Sequence, residues 1–182
     1  MRTRNNVVLT LLTALAFSWA HSDEHPTLDL QLVGEGVMSF AVWDIYNARL
    51  YSKTGTFDPS KEYALELIYF KNIKKTRLVK ETQTQLKGLD FDQHPNYSVW
   101  IEMLYSIWQD VAKNDAITLK VKPNKTSEFY FNNTLLGKVD DPDFSLAFSS
   151  IWLSPETSRP KLRKKLLGTP SSDLNNTEID KR

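Results

Sequence analysis

The sequence predicts an α+β fold: one antiparallel β-sheet with its helices layered on one side. Three observations carry that prediction. Alternating segments rich in β-branched and aromatic residues fall into two groups, one ending at Phe70 and one running from Ile117 to Val139. Between the groups lies a block with helical spacing, from Lys74 to Val111. A second helical block, from Asp141 to Leu167, follows the last alternating segment. Strands and helices that segregate in this way call for an antiparallel sheet. At 182 residues the chain is long enough for one domain with a real core.

The organising stretch is Gly34 to Ser52, GEGVMSFAVWDIYNARLYS. Residues two apart share a face of a strand. Asp44, Tyr46, Ala48 and Leu50 therefore share one face, and Ile45, Asn47, Arg49 and Tyr51 the other. Both faces hold apolar groups, which predicts an interior strand pair. Gly34 and Gly36 mark a turn or bulge at its start, and the alternation breaks at Val42–Trp43, which predicts a second bulge or bend. Leu28, Leu30 and Leu32 suggest a short strand leading in. Ser52 to Lys61 reads as a loop around Asp58-Pro59, and Tyr63 to Phe70 as the next strand.

Lys74 to Lys87 has helix formers without glycine or proline, and Gly88 stands where a C-terminal cap belongs. Pro95 opens a stronger helix, whose stripe of Tyr97, Trp100, Ile101, Leu104, Trp108 and Val111 suits a core face or a ligand wall. Ile117, Leu119 and Val121 alternate in a half-exposed strand. Asn132-Asn133-Thr134 joins two strands as a hairpin. Asp141-Pro142 is an N-cap followed by proline at the first helical position, and Ser158 to Leu167 forms the last helix before Gly168.

Residues 1–20 carry a positive start (Arg2, Arg4), an apolar run from Val7 to Phe17, and small residues at Ser18 and Ala20. They read as a signal peptide cleaved after Ala20, too short in its apolar part to span a bilayer. Residues 21–168 form the expected domain, and 169–182 a disordered polar tail. The chain has no cysteine, which removes disulfides, thiol chemistry and lipid attachment at an N-terminal cysteine, and fits export to a bacterial periplasm. A net charge of +1 excludes an electrostatic footprint for nucleic acid.

Three segments carry a family resemblance: GEGVMSFAVWDIYNARLYS, WQDVAKNDAITL and FYFNNTLLGKVDDPDFSLAFSSIWLSPETSRPKLRKKLLG, which span most of Leu32 to Gly168. With them the chain resembles the chalcone isomerase-like family, in its exported bacterial branch. The resemblance implies an open-faced β-sandwich with a ligand cleft between sheet and helices. The family includes plant enzymes that close chalcones to flavanones, fatty-acid-binding members, and members without catalysis. The enzymes use an arginine after the glycine pair, a threonine or tyrosine on the next strand, and a tyrosine and an asparagine on a helix. Counting along the motifs places Met38 at the arginine, Tyr46 at the hydroxyl, Asn72 at the helical tyrosine and Val79 at the asparagine. Methionine cannot donate to a developing enolate, and losing one such donor typically costs about 3 kcal/mol. Tyr46 is then the sole candidate for catalysis.

The expected role is non-catalytic: a periplasmic protein that takes an apolar or amphipathic small molecule, such as a fatty acid, into a cleft lined by Met38, Tyr46, Asn72, Val79, Tyr97, Trp100 and Leu104. Two alternatives stay open, an isomerase or lyase with Tyr46 as donor, and an interaction module whose cleft is filled by its own side chains. No cofactor is expected, and no metal, since His21 and His25 beside Asp23 and Glu24 read as a solvated end. His94 has no carboxylate partner by spacing. Arg49 is expected to bridge to Glu66. The basic run Lys71, Lys74, Lys75, Arg77 and Lys80 reads as a solvated helix face, with peripheral contact to anionic lipid as its functional counterpart. Ligand identity and oligomeric state are not legible at this stage.

Overall fold

In the computed structural model, residues 25–168 are described; the expected signal peptide and polar tail lie outside them. Six strands, β1 (Gln31–Phe40), β2 (Trp43–Ser52), β3 (Tyr63–Tyr69), β4 (Ala116–Val121), β5 (Ser127–Phe131) and β6 (Thr134–Val139), lie side by side in chain order. Every neighbouring pair is antiparallel. Helices α1 (Lys75–Lys87) and α2 (Tyr97–Ile107), with a short 3₁₀ turn at Phe91–Gln93, are inserted between β3 and β4. Helices α3 (Pro142–Leu153) and α4 (Pro160–Leu166) follow β6.

The period-two pattern decides which side the helices cover. Ala48 and Leu50 of β2, Leu65, Leu67 and Tyr69 of β3, Ile117, Leu119 and Val121 of β4, and Phe129 of β5 are all buried in one core with Phe144, Phe148 and Trp152 of α3. The opposite parity carries charge. Glu35, Arg49, Glu66 and Thr118 stand in one cross-strand row, in register through β1 to β4. Arg49 Nε lies 2.8 Å from Glu35 and its terminal nitrogen 3.8 Å from Glu66. The expected bridge to Glu66 is present, but Glu35 is the nearer partner. In the next row Lys138 Nζ reaches Glu128 at 2.6 Å, and Lys120 Nζ reaches Glu62 at 3.2 Å.

Five details depart from the sequence prediction. β4, expected half-exposed, is buried from Ile117 to Val121, Thr118 and Lys120 included, because strands pair on both of its sides. The organising stretch is a hairpin whose first strand is an edge, not an interior pair: β1 has a strand neighbour only in β2. The break at Val42 is the chain reversal itself, with Ala41 in a left-handed conformation at φ 53°. Residues 26–29 form a turn, and Leu28 is exposed rather than in a strand. α2 ends at Ile107, because Trp108 takes an extended backbone (φ −79°, ψ 160°). Trp108 and Val111 are nonetheless buried, and Val111 pairs with Ile73 in an isolated bridge, so the stripe continued past the helix as core.

Gly34 explains how the last helix reaches the sheet. A Cβ there would come within 2.1 Å of the Lys165 carbonyl oxygen, so α4 lies directly on the β1 backbone. The asparagine hairpin holds as predicted, with Asn132 and Asn133 at φ 46° and 73° joining β5 to β6.

Candidate functional site

Helix α3 crosses the core and presents two different polar ends. Its start is the predicted cap: Asp141 Oδ1 accepts from the backbone N–H of Asp143 (3.0 Å) and of Phe144 (3.4 Å). The other carboxylate oxygen accepts from Trp100 Nε1 at 2.7 Å and Asn96 Nδ2 at 3.1 Å, which clips α2 to α3. Burial works to raise this carboxyl, but the hydrogen bonds from Trp100, Asn96 and the two backbone amides outweigh it and hold it below the usual range. His94 stacks on Trp100 with ring centroids 4.4 Å apart, and its Nε2 lies 3.4 Å from Asp143. Residue spacing could not show that carboxylate, because it arrives from a helix about fifty positions later.

The far end of α3 is built differently. Met38 and Tyr46 are cross-strand partners of β1 and β2, on the helix-covered side. Both remain partly exposed, at the rim of the core. Trp152 Nε1 donates to the Tyr46 hydroxyl at 2.9 Å. The rings of Tyr46 and Tyr69 meet edge to face at 5.8 Å. Burial pushes the Tyr46 phenol up to about 12, while the Trp152 hydrogen bond and the positive charge of Arg159 pull the other way and Glu81 adds a small push upward. The Tyr69 phenol is pushed up too, by burial and then by Tyr46.

Arg159 was not foreseen. It stands at the N-cap of α4, in a connection pinned to the rest of the fold. Thr157 Oγ1 donates to the Ile151 carbonyl (2.6 Å) and accepts from the Arg159 amide (3.2 Å), and Ser158 Oγ donates to Gln85 Oε1 of α1 (2.7 Å). The Nε of Arg159 is buried and has no hydrogen-bond partner among the described residues. Tyr46 has spent a lone pair on Trp152, and among the described residues nothing accepts its own O–H. Two donors within electrostatic reach of each other are therefore left over. No local motif could announce this, because Arg159 lies more than a hundred residues from Tyr46 and reaches it only through α3 and α4.

The other predicted residues fall elsewhere. Val79 is fully buried in α1, two residues before the Glu81 whose charge acts on Tyr46. Asn72 is exposed ahead of α1, where its Oδ1 accepts the Lys113 amide at 3.0 Å, so it pins a loop. Trp100 and Leu104 are fully buried, Tyr97 only partly. Trp100 packs on Phe144, about two helical turns or 12 Å along α3 from Trp152. The structure thus brings Met38 and Tyr46 together and sets Trp100 at the opposite end, with Phe144, Phe148 and Trp152 in ring contact between.

A six-strand antiparallel sheet with four helices, its core between sheet and helices, defines an open-faced α+β sandwich. The chain belongs to the chalcone isomerase-like family, whose sequence model matches residues 21–168. A relative from Haemophilus influenzae, described as an uncharacterized protein, is 29% identical over 159 residues, covering 85% of this chain and 76% of the relative. Among solved structures, the Arabidopsis thaliana fatty-acid binding protein superposes with a TM-score of 0.60 at 12% identity, over 77% of this chain and 87% of that one. At that identity the likeness is one of fold.

Proposed function

We propose that this protein is a non-catalytic binder of a small amphipathic acid, a fatty acid foremost, held between sheet and helices with its carboxylate toward Arg159 and Tyr46. The observation that carries the reading is the pair of leftover donors. A buried guanidinium N–H without an acceptor costs roughly 1–3 kcal/mol, a cost that an arriving carboxylate would remove. Met38 offers a flexible apolar contact beside it. That a fold neighbour is a fatty-acid binding protein supports the ligand class.

Burial of the phenol speaks against general-base catalysis. A phenol near 12 keeps its proton at neutral pH, so Tyr46 serves as a hydrogen-bond donor and not as a base. We place the working protein in the periplasm, from the leader at residues 1–20. Sequencing the N-terminus from fractionated cells should give His21 as the first residue.

Native mass spectrometry of protein purified from its source tests the ligand. The expected spectrum shows a fatty-acid adduct that is lost in Arg159→Leu. An adduct-free protein would favour the second reading, an interaction module, for which the contiguous rings of Trp100, Phe144, Phe148 and Trp152 supply the filled cleft.

A further inference from the structure

The turn between β1 and β2 carries the densest exposed apolar group among the described residues. Phe40 is 61% exposed, Val42 86% and Trp43 63%. Phe40 and Trp43 are cross-strand partners at the very end of the hairpin. Val37 and Phe70, both more than a third exposed, continue the patch down the side of the sheet that the helices leave. Large side chains at a protruding turn bury nothing for the fold, so folding alone does not account for them.

Cations surround the tip. Lys71 Nζ sits 4.8 Å above the Trp43 ring. Lys113 stands in the adjoining loop, whose backbone is pinned to Asn72. Neither forms an ion pair among the described residues. Of the neighbouring acids, Asp110 is neutralised by Lys74 (2.7 Å), while Asp44 accepts from Ser39 Oγ (2.6 Å) and Asp115 from Ala112 and Asn132, neutral donors that orient these carboxylates and leave their charge. Arg77 is exposed in the first turn of α1, a few residues along the chain from Lys71. Aromatic rings at a convex tip with lysines set back around them match the layering of a bilayer surface, with acyl chains beneath anionic headgroups. A flat protein interface would ask for a broader, less charged patch.

We infer that the β1–β2 tip docks the protein onto an anionic phospholipid surface, Phe40, Val42 and Trp43 entering the headgroup region and Lys71, Lys113 and Arg77 facing the lipid phosphates. The tip adjoins Met38 and Tyr46, which lie on the same two strands only a few residues below the turn. The inference goes beyond the ligand reading and stands without it.

Vesicle sedimentation with the exported protein, purified after removal of residues 1–20, tests it. Vesicles of mixed phosphatidylglycerol and phosphatidylcholine should bind the protein, added salt should weaken binding, and phosphatidylcholine alone should bind poorly. Acyl chains brominated near the headgroup should quench Trp43, since Trp100, Trp108 and Trp152 are buried. Phe40→Ser and Trp43→Ser should each weaken binding roughly tenfold, the loss of one buried aromatic. Lys71→Glu should weaken it less and flatten the salt dependence. Both serine variants should keep the wild-type melting temperature and bind a soluble fatty acid as before, so failure at the tip and failure of the ligand reading are told apart. Vesicle binding that is absent, or unchanged in Phe40→Ser/Trp43→Ser, overturns the inference. So does a wild-type dimer that those substitutions convert to monomer, which would make a second copy the occupant.

Discussion

The two ends of helix α3 spend their polar groups in opposite ways. At the N-terminal end the Asp141 carboxylate takes four hydrogen bonds, and the Trp100 and Asn96 donors that reach it are satisfied by it. At the C-terminal end Trp152 finds Tyr46, but the Tyr46 O–H and the Arg159 Nε–H find no acceptor among the described residues. Both ends pack against aromatic rings of the same contiguous group. A saturated network serves architecture, since removing any member strands a buried group. A network with donors to spare costs stability unless something else completes it. Under the proposed function, the contrast puts stability at one end and recognition at the other.

Breaking the saturated end should have the largest effect. Asp141→Ala removes the cap of α3 and strands Trp100 Nε1 at once, at a cost of about 2–4 kcal/mol, measured as a lowered urea midpoint. Fatty-acid affinity of the fraction still folded should stay unchanged. Asp141→Asn retains an acceptor and should recover part of the loss.

The recognition end should respond the other way round. Arg159→Leu is expected to weaken fatty-acid binding by roughly ten- to a hundredfold, the worth of one charge-assisted hydrogen bond. Its melting temperature should hold or rise, because a buried donor without a partner disappears. A large loss of stability would show instead that Arg159 is structural.

Tyr46→Phe sharpens the comparison through pH. The phenol rises from its ordinary 10.0 to about 12 in the fold, chiefly through burial. A raised folded-state value means its contribution is complete below pH 10 and is lost as pH climbs through about 12. Removing the hydroxyl should flatten that alkaline limb by up to about 3 kcal/mol, read from denaturant midpoints across the range. Some alkaline loss should persist, because Tyr63 and Tyr69 are shifted upward as well. The smallest expected effect is at Met38. Met38→Leu conserves volume and should change stability by less than about 1.5 kcal/mol, leaving affinity within a few fold.

The same contrast marks what could be read from the residues alone. Asp141-Pro142 is a local signal, and its cap appeared as predicted. The alternation of β2 and β3 correctly separated Tyr46, Ala48 and Leu50 from Arg49, because strand parity is fixed by the backbone. Family and fold class were likewise legible. Long-range meetings were not. Trp152 with Tyr46, Arg159 with Tyr46, His94 with Asp143 and Trp100 with Asp141 each join residues that only the packing of helices on the sheet brings together. Helical spacing placed Trp100 and Leu104 on one buried face, but spacing cannot say against which end of α3 that face packs. Counting to Asn72 lands on an exposed residue that pins a loop, a long-range meeting that counting does not show.

The central claim is that leftover donors at the Tyr46 end await an anion. Calorimetric titration of the purified protein with a medium-chain fatty acid and with its methyl ester tests it most directly. The account predicts that the acid binds at least roughly tenfold more tightly than the ester, and that Arg159→Leu abolishes the difference. Equal binding of acid and ester by the wild-type protein, or binding of neither, would contradict it.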